Sequence, residues 1–174
     1  MSRKNTSLLR EWVESIFIAL ILAVFLKSFV FEFIEVDGNS MLPTLQDHDR
    51  LIVSKVSYSL SQPKHGDIIV FQYTYDPTYC FIKRVIAVES DTVEIKDGKV
   101  FVNDKPLQEP YTKEETLGDF TKRVIPADTV FVLGDNRNNS KDSRFEDIGF
   151  VSIDAIKGKA FYMIWPFQKL SKIH

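Results

Sequence analysis

What this chain lacks narrows it first. It holds one cysteine, Cys80, so no intramolecular disulfide can form and no multi-cysteine zinc site can be built. Its three histidines, His48, His65 and His174, stand at no metal-ligand spacing and are read as surface or loop residues. No metal and no cofactor is expected. Excess charge of one sign is also missing: the formal net charge of -2 gives no reason to expect a nucleic-acid partner. No internal repeat or low-complexity segment is present. The lack of disulfides does not exclude an extracytoplasmic location, because a domain of this size is stable without them. A length of 174 residues allows one membrane segment and one domain with a real core, and is too short for two sizeable domains.

Long apolar runs are scarce too, and the one that occurs, Ile16 to Leu26, covers eleven residues. Alone, that length suits a buried helix or the core of a signal peptide. If Lys27 snorkels to an interface, the segment extends through Phe31 to sixteen residues, about 24 Å of helix, with Trp12 and Val13 adding an interfacial turn. A cleaved signal peptide needs a small-x-small site after the run, and Lys27-Ser-Phe-Val-Phe-Glu-Phe-Ile-Glu-Val36 supplies none. The reading is therefore an uncleaved signal anchor. Arg3, Lys4 and Arg10 place its N-terminal side in the cytoplasm and the chain beyond about Ser28 outside. Residues 1–11 form a cytoplasmic tail, 12–31 a transmembrane anchor and 32–174 an extracytoplasmic domain.

From Phe29 the pattern changes to alternation, which signals a strand. Further strands are expected within Asp49 to Val56, Asp67 to Tyr73, Cys80 to Val88, Thr129 to Leu133 and Lys159 to Ile164. Val93 to Ile95 and Val100 to Val102 flank Asp97-Gly98, a hairpin signal. The fold class is mainly β, preceded by one N-terminal transmembrane helix. Glu109 to Lys122 is polar without a period and reads as an exposed loop. The aromatic cluster Phe161 to Phe167 is assigned to core packing, with contact to a membrane surface as the other role.

Three segments hold residues able to do chemistry. Asp37-Gly-Asn-Ser-Met-Leu-Pro-Thr-Leu45 presents Ser40, a weak nucleophile until a base takes its proton. Lys83 lies in an otherwise apolar strand; burial there would lower its pKa toward neutrality and make it a base, while its neighbour Arg84 must point the other way. The competing view makes Lys83 and Arg84 edge-strand charges that discourage aggregation. Gly134 to Arg144 is dense in short hydrogen-bonding side chains. It is not a calcium loop, because Arg137 stands where an oxygen ligand is needed and no glycine follows at the required offset. Ser140 could orient the Lys83 amine, and Asp142 and Arg144 could pair to hold the loop. A Ser-His-Asp site using His65 and Asp67 is disfavoured, because Ser40 lacks the Gly-x-Ser-x-Gly elbow.

Together these segments resemble the bacterial type I signal peptidases, membrane-anchored Ser/Lys endopeptidases. The match runs in order through the anchor, Gly38-Asn-Ser-Met-Leu-Pro-Thr-Leu45, Asp49-Arg-Leu-Ile-Val53, Gly66-Asp-Ile-Ile-Val-Phe71, Lys83-Arg-Val-Ile86 and Gly134-Asp-Asn-Arg137 through Ser140, Asp142 and Arg144. The resemblance sets aside the edge-strand view of Lys83. It implies a β-rich catalytic domain with a small β-ribbon insertion at about residues 90–125, as in the short Gram-positive members. It implies Ser40 as nucleophile and Lys83 as general base, supported by Ser140, Asp142 and Arg144. Ser40 N–H would be one oxyanion donor; some members carry a Ser where this chain has Gly38, so a second donor in that region is unassigned. Val36, Met41, Leu45 and Ile82 are candidates to line shallow pockets for small residues at the first and third positions before the cut, with plain core packing the other role open to each. The implied partners are signal peptides of exported preproteins, membrane lipid and, by proximity, the export machinery. A repressor-type self-cleaving protease would need a DNA-binding domain where this chain has an anchor. A non-catalytic adaptor should have lost Ser40 or Lys83, and both are present.

Overall fold

A computed structural model describes residues 2–173, with the backbone alone at residues 2–9 and Leu60; His174 lies outside the described residues. Helix α1 (Ser2–Phe25) runs into one π-helical turn over Leu26–Val30. The strand expected from Phe29 therefore begins two residues later. Phe31 N–H still bonds back to Leu26, and only there does the backbone become extended. Arg10–Val30 has a mean hydropathy of 2.2, and none of it is buried against the rest of the chain.

The elements that follow are β1 (Phe31–Glu35), β2 (Arg50–Ser54), a short helix α2 (Ser57–Leu60), β3 (Ile68–Tyr73), β4 (Asp76–Ala87), β5 (Thr92–Lys96), β6 (Lys99–Val102), β7 (Lys105–Pro106), β8 (Phe120–Val124), β9 (Thr129–Leu133), β10 (Val151–Ser152), β11 (Ile156–Trp165) and β12 (Ser171–Lys172). They form two antiparallel sheets. The larger has the order β1-β2-β11-β3-β4-β9-β10, with β12 on β11; the smaller is β7-β6-β5-β8. Period-two alternation sorts apolar side chains between cores. In β9, Val130 and Val132 join Ile69, Phe71 and Val85, whereas Phe131 and Leu133 cluster with Val93, Ile95 and Val100 of the smaller sheet and with Ile125 just past it. A third core gathers Val36, Met41 and Leu45 with Leu51, Val53, Ile68 and Val70.

The Asp97-Gly98 turn forms as its sequence predicts, with φ of 50° and 74°, values an L-residue tolerates poorly and glycine freely. Two expectations change. The stretch read as a loop from Glu109 to Lys122 ends inside β8, whose Phe-Thr-Lys-Arg-Val shows no apolar alternation and becomes a strand through pairing with β5. Its earlier part is not freely exposed either, since Thr116 is buried. The late aromatic cluster divides: Met163 is buried, but Trp165 and Phe167 are 44% and 67% exposed, so core packing accounts for only part of it.

Candidate active site

Ser40 sits in the loop between β1 and β2, whose neck is closed by Val36 N–H to Asp49 O (2.8 Å) and His48 N–H to Val36 O (2.9 Å). Inside it, Met41 and Leu45 are joined by a Leu45 N–H to Met41 O bond of 2.9 Å, and both side chains are buried in the third core. Those two apolar anchors leave Ser40 at the rim. Gly38 turns the chain at φ +94°, where its N–H donates to Asp47 Oδ1 at 2.8 Å. From below, Asn136 N–H donates to Ser40 O (3.0 Å) and Asn136 Nδ2 to Asn39 O (3.0 Å).

Lys83 lies on β4, which is flanked by β3 and β9 and so is not an edge strand. It is 2% exposed. Its Nζ donates to Ser40 Oγ at 2.7 Å and to Ile82 O at 3.0 Å. Burial pushes the ammonium pKa from 10.5 down to about 8, against the opposing pull of the Asp142 and Asp135 carboxylates. That difference corresponds to about 3 kcal/mol against the charged form. At pH 7 roughly one-tenth of the molecules then carry the neutral amine, against fewer than about one in a thousand for an ordinary lysine.

Arg84, the next residue, is buried to the same degree and goes to different partners. It forks onto Asp135 with Nε to Oδ1 at 2.8 Å and Nη2 to Oδ2 at 2.7 Å, and Nη1 donates to Gly66 O at 3.0 Å. Thr44 Oγ1 donates to the same Asp135, so one carboxylate ties the Ser40 loop to β4. Asp142, fully buried, accepts a fork from Arg144 at 2.8 and 2.9 Å and Gly134 N–H at 3.1 Å; the sequence-predicted pair forms.

Ser140 departs from expectation. Its Oγ is buried and makes no hydrogen bond among the described residues, so the predicted bond to the Lys83 amine is not formed; that amine's donors go to Ser40 and Ile82. A Cβ built on Gly134 would lie 2.2 Å from Ser140 Oγ and 2.5 Å from Ser40 O, which shows how tightly the two loops meet.

A cleft of about 410 Å³ opens beside Ser40 and Lys83. Val36, Met41 and Ile82 line it, together with Ile34, Val70 and Phe81, which the sequence reading did not single out. Leu45 does not line it: fully buried below Met41, it belongs to the core, and its assignment to a pocket is corrected. The amide of Gly38 is committed to Asp47, whereas Ser40 N–H donates to no group among the described residues. His65 and Asp67 serve elsewhere. His65 pairs with Asp91 at 2.6 Å, and Asp67 accepts from Tyr58 (2.9 Å) and Lys159 (2.5 Å).

Sequence reasoning quoted Thr44, Asp135, Asn136 and Arg137 within the matching segments without giving them a role, and missed Glu109 and Tyr111 as parts of this neighbourhood. Their signal was faint: charged residues among short polar ones in a loop, and a Tyr beside a Pro in an acidic stretch. Arg137 was given no role beyond the argument against calcium, yet its guanidinium is buried and meets Glu109 and Thr116.

A serine hydroxyl held by a buried lysine amine at the floor of an open, partly apolar cleft, in an antiparallel β fold, defines a class: serine hydrolases that work without histidine. Comparison with known proteins makes the class definite. The family model described as signal peptidase, peptidase S26, matches residues 9–165, and the chain belongs to that family. It is similar to the signal peptidase I of Leptolyngbya laminosa, 40% identical over 98% of this chain and 86% of that protein. It is similar also to signal peptidase I P of Bacillus subtilis subsp. natto, 38% identical over 98% of this chain and 95% of that protein. A crystal structure of a signal peptidase I from Enterococcus faecalis, 30% identical, aligns over 57% of this chain and 97% of that one with a TM-score of 0.50. The chain is thus a serine endopeptidase of the signal peptidase family, and its exposed apolar helix is consistent with membrane anchoring.

Proposed function

We propose that this enzyme removes signal peptides from exported preproteins by cutting after small-x-small sequences on the outer face of the plasma membrane. Ser40 acts as nucleophile and Lys83 as general base. The observation that carries the roles is the 2.7 Å bond between Lys83 Nζ and Ser40 Oγ, made by an amine whose pKa is about 8. The neutral amine takes the Ser40 proton as Oγ attacks the scissile carbonyl carbon. Ser40 N–H receives the developing oxyanion, the lysinium returns its proton to the leaving amine, and the acyl-enzyme remains on Ser40. Lys83 then takes a proton from water as its oxygen attacks the ester carbonyl carbon; the C–Oγ bond breaks, the lysinium returns the proton to Ser40 Oγ, and the new carboxyl terminus leaves with Ser40 and the neutral amine regenerated. Asp142 and Arg144 hold the loop behind the amine. The unpaired Ser140 hydroxyl stands beside the Ser40 peptide, ready to receive the amine once Ser40 is acylated.

Val36, Met41 and Ile82 give the cleft an apolar lining suited to small side chains. The anchor crosses with its N-terminal side in the cytoplasm, brings the cleft to the outer leaflet where the substrate's own apolar segment resides, and keeps the enzyme near the export machinery. The test is cleavage of a synthetic signal-peptide substrate by detergent-solubilised protein, with the cut mapped by mass. Wild type should cut after a small-x-small site, and Ser40→Ala and Lys83→Ala should be folded and inactive. Ordinary turnover by Lys83→Ala would sink the dyad.

A further inference from the structure

Among the described residues, 109–116 make no hydrogen bond to Ser40 or Lys83, yet they clasp the 135–138 loop that bonds to the Ser40 segment. The Glu109 carboxylate accepts from both terminal nitrogens of Arg137, Nη1 at 2.9 Å, and from Tyr111 Oη at 3.1 Å. Thr116 Oγ1 accepts from Arg137 Nη1 at 3.0 Å. The Tyr111 ring lies against two guanidiniums, with its centroid 4.0 Å from Arg84 Cζ and 6.0 Å from Arg137 Cζ. A second grip follows at once, where Asn138 Nδ2 donates to Glu114 Oε2 (2.9 Å) and Glu115 O (3.1 Å), and Asn138 Oδ1 accepts Leu117 N–H (3.0 Å). The Arg137 ion pair is almost entirely out of solvent, so it is not a loose surface contact.

Immediately before those two grips in the chain lie the bonds that set the reacting pair. Asn136 carries Ser40 O and Asn39 O, and Asp135 carries Thr44 and Arg84. Arg137 O accepts from Arg144, whose carboxylate partner Asp142 pulls on the Lys83 ammonium. Resting on the Ser40–Lys83 reading above, we propose that the 109–116 segment is a strap that positions the catalytic pair, with Glu109 and Tyr111 its positioning residues. It acts by fixing Arg137 and Arg84, and through them the 135–137 backbone beneath Ser40. Because the cleft is lined by none of the strap, loosening it should reduce turnover and spare substrate binding.

The test compares Glu109→Gln, Tyr111→Leu and Tyr111→Phe in the full chain, with wild type and Ser40→Ala alongside. Activity is expressed per folded molecule, and exchange of the Asn136 amide is followed by NMR. Tyr111→Phe keeps the ring against both guanidiniums and should behave as wild type. Glu109→Gln and Tyr111→Leu should lower kcat on the order of ten- to a hundred-fold, with KM within about twofold. Both should also speed exchange at residues 135–138 while leaving β3 and β9 protected. A lowered melting temperature with unchanged kcat per folded molecule and unchanged Asn136 exchange would overturn the strap. So would equal losses from Tyr111→Phe and Tyr111→Leu. Exchange at Asn136 decides the proposal independently of cleavage, and the wild-type and Ser40→Ala pair alone judges the peptidase reading.

Discussion

A lysine is a poor base at neutral pH and an expensive residue to bury, and at position 83 both facts have one cause. Removal from water destabilises the ammonium, which makes the amine available to Ser40 and costs the fold stability whenever the lysine stays charged. The folded pKa of about 8 lies below the unfolded value of 10.5. Below about pH 8 both states are protonated and the full penalty is present; it fades as pH rises from 8 to 10.5, and above that range it is gone. Lys83→Met keeps the volume and drops the charge. It should be inactive and, at pH 7, more stable than wild type by about 1–3 kcal/mol. That gap should close as denaturation is repeated toward pH 10.5, and a constant gap would show that burial of charge is not its source. Lys83→Arg should also be inactive at every pH tested, because a guanidinium cannot give up its proton. In wild type, kcat/KM should rise with pH along a limb centred near 8 for the free enzyme.

At the scale of elements, the site is a junction between the end of β9 and the β1–β2 loop, and Gly134 is where they touch. Its missing Cβ would meet the Ser140 hydroxyl and, more seriously, the Ser40 carbonyl oxygen, which is backbone and cannot swing aside. Gly134→Ala should therefore abolish cleavage by moving Ser40 away from Lys83. Adding Ser140→Gly removes the first clash and not the second, so the double variant should remain inactive; recovery of more than about a tenth of wild-type kcat would show that the loops are slack. The elements themselves were largely legible in the sequence. β3, β4 and β9 are apolar runs bounded by turn residues, and the Asp97-Gly98 hairpin follows from backbone preference. Lys83 stands out as a charged residue in an otherwise apolar strand, and Ser40 through the resemblance of its segment to the family. The 109–118 segment was not legible, for a physical reason: its order comes from long-range ion pairs and ring contacts with Arg84 and Arg137, which leave no period in the local sequence. Arg137 and Asp135 were obscured in the same way, since a buried salt bridge and a solvated loop use the same residue types. Leu45 erred in the opposite direction, where proximity to Ser40 along the chain suggested a pocket and the side chain turned into the core.

For the whole molecule, the question is what the anchor contributes to an enzyme whose reacting groups all lie in the β domain. Among the described residues, none of α1 joins a core cluster: the helix leaves through the π-turn, and its exit is pinned by Lys55 Nζ to Ser28 O (2.8 Å) and Lys55 N–H to Val30 O (2.9 Å), both beyond residue 27. The domain also keeps apolar side chains in the open: Phe29 just before β1 and Phe33 within it, Trp165 at the end of β11, and Phe167 and Leu170 beyond it. A chain beginning at Ser28 should therefore fold and bind weakly to lipid through these residues, as aromatic side chains favour the interface. Toward a short water-soluble substrate peptide its kcat should match that of the full chain in detergent. Toward a preprotein embedded in vesicles the full chain should be faster by about a hundredfold or more, because two partners confined to one bilayer meet at a raised effective concentration. That advantage should shrink when the same vesicles are dissolved in excess detergent. Loss of soluble-peptide cleavage by a folded truncated protein would instead mean that the helix shapes the site, and an equal rate in vesicles would remove the case for tethering.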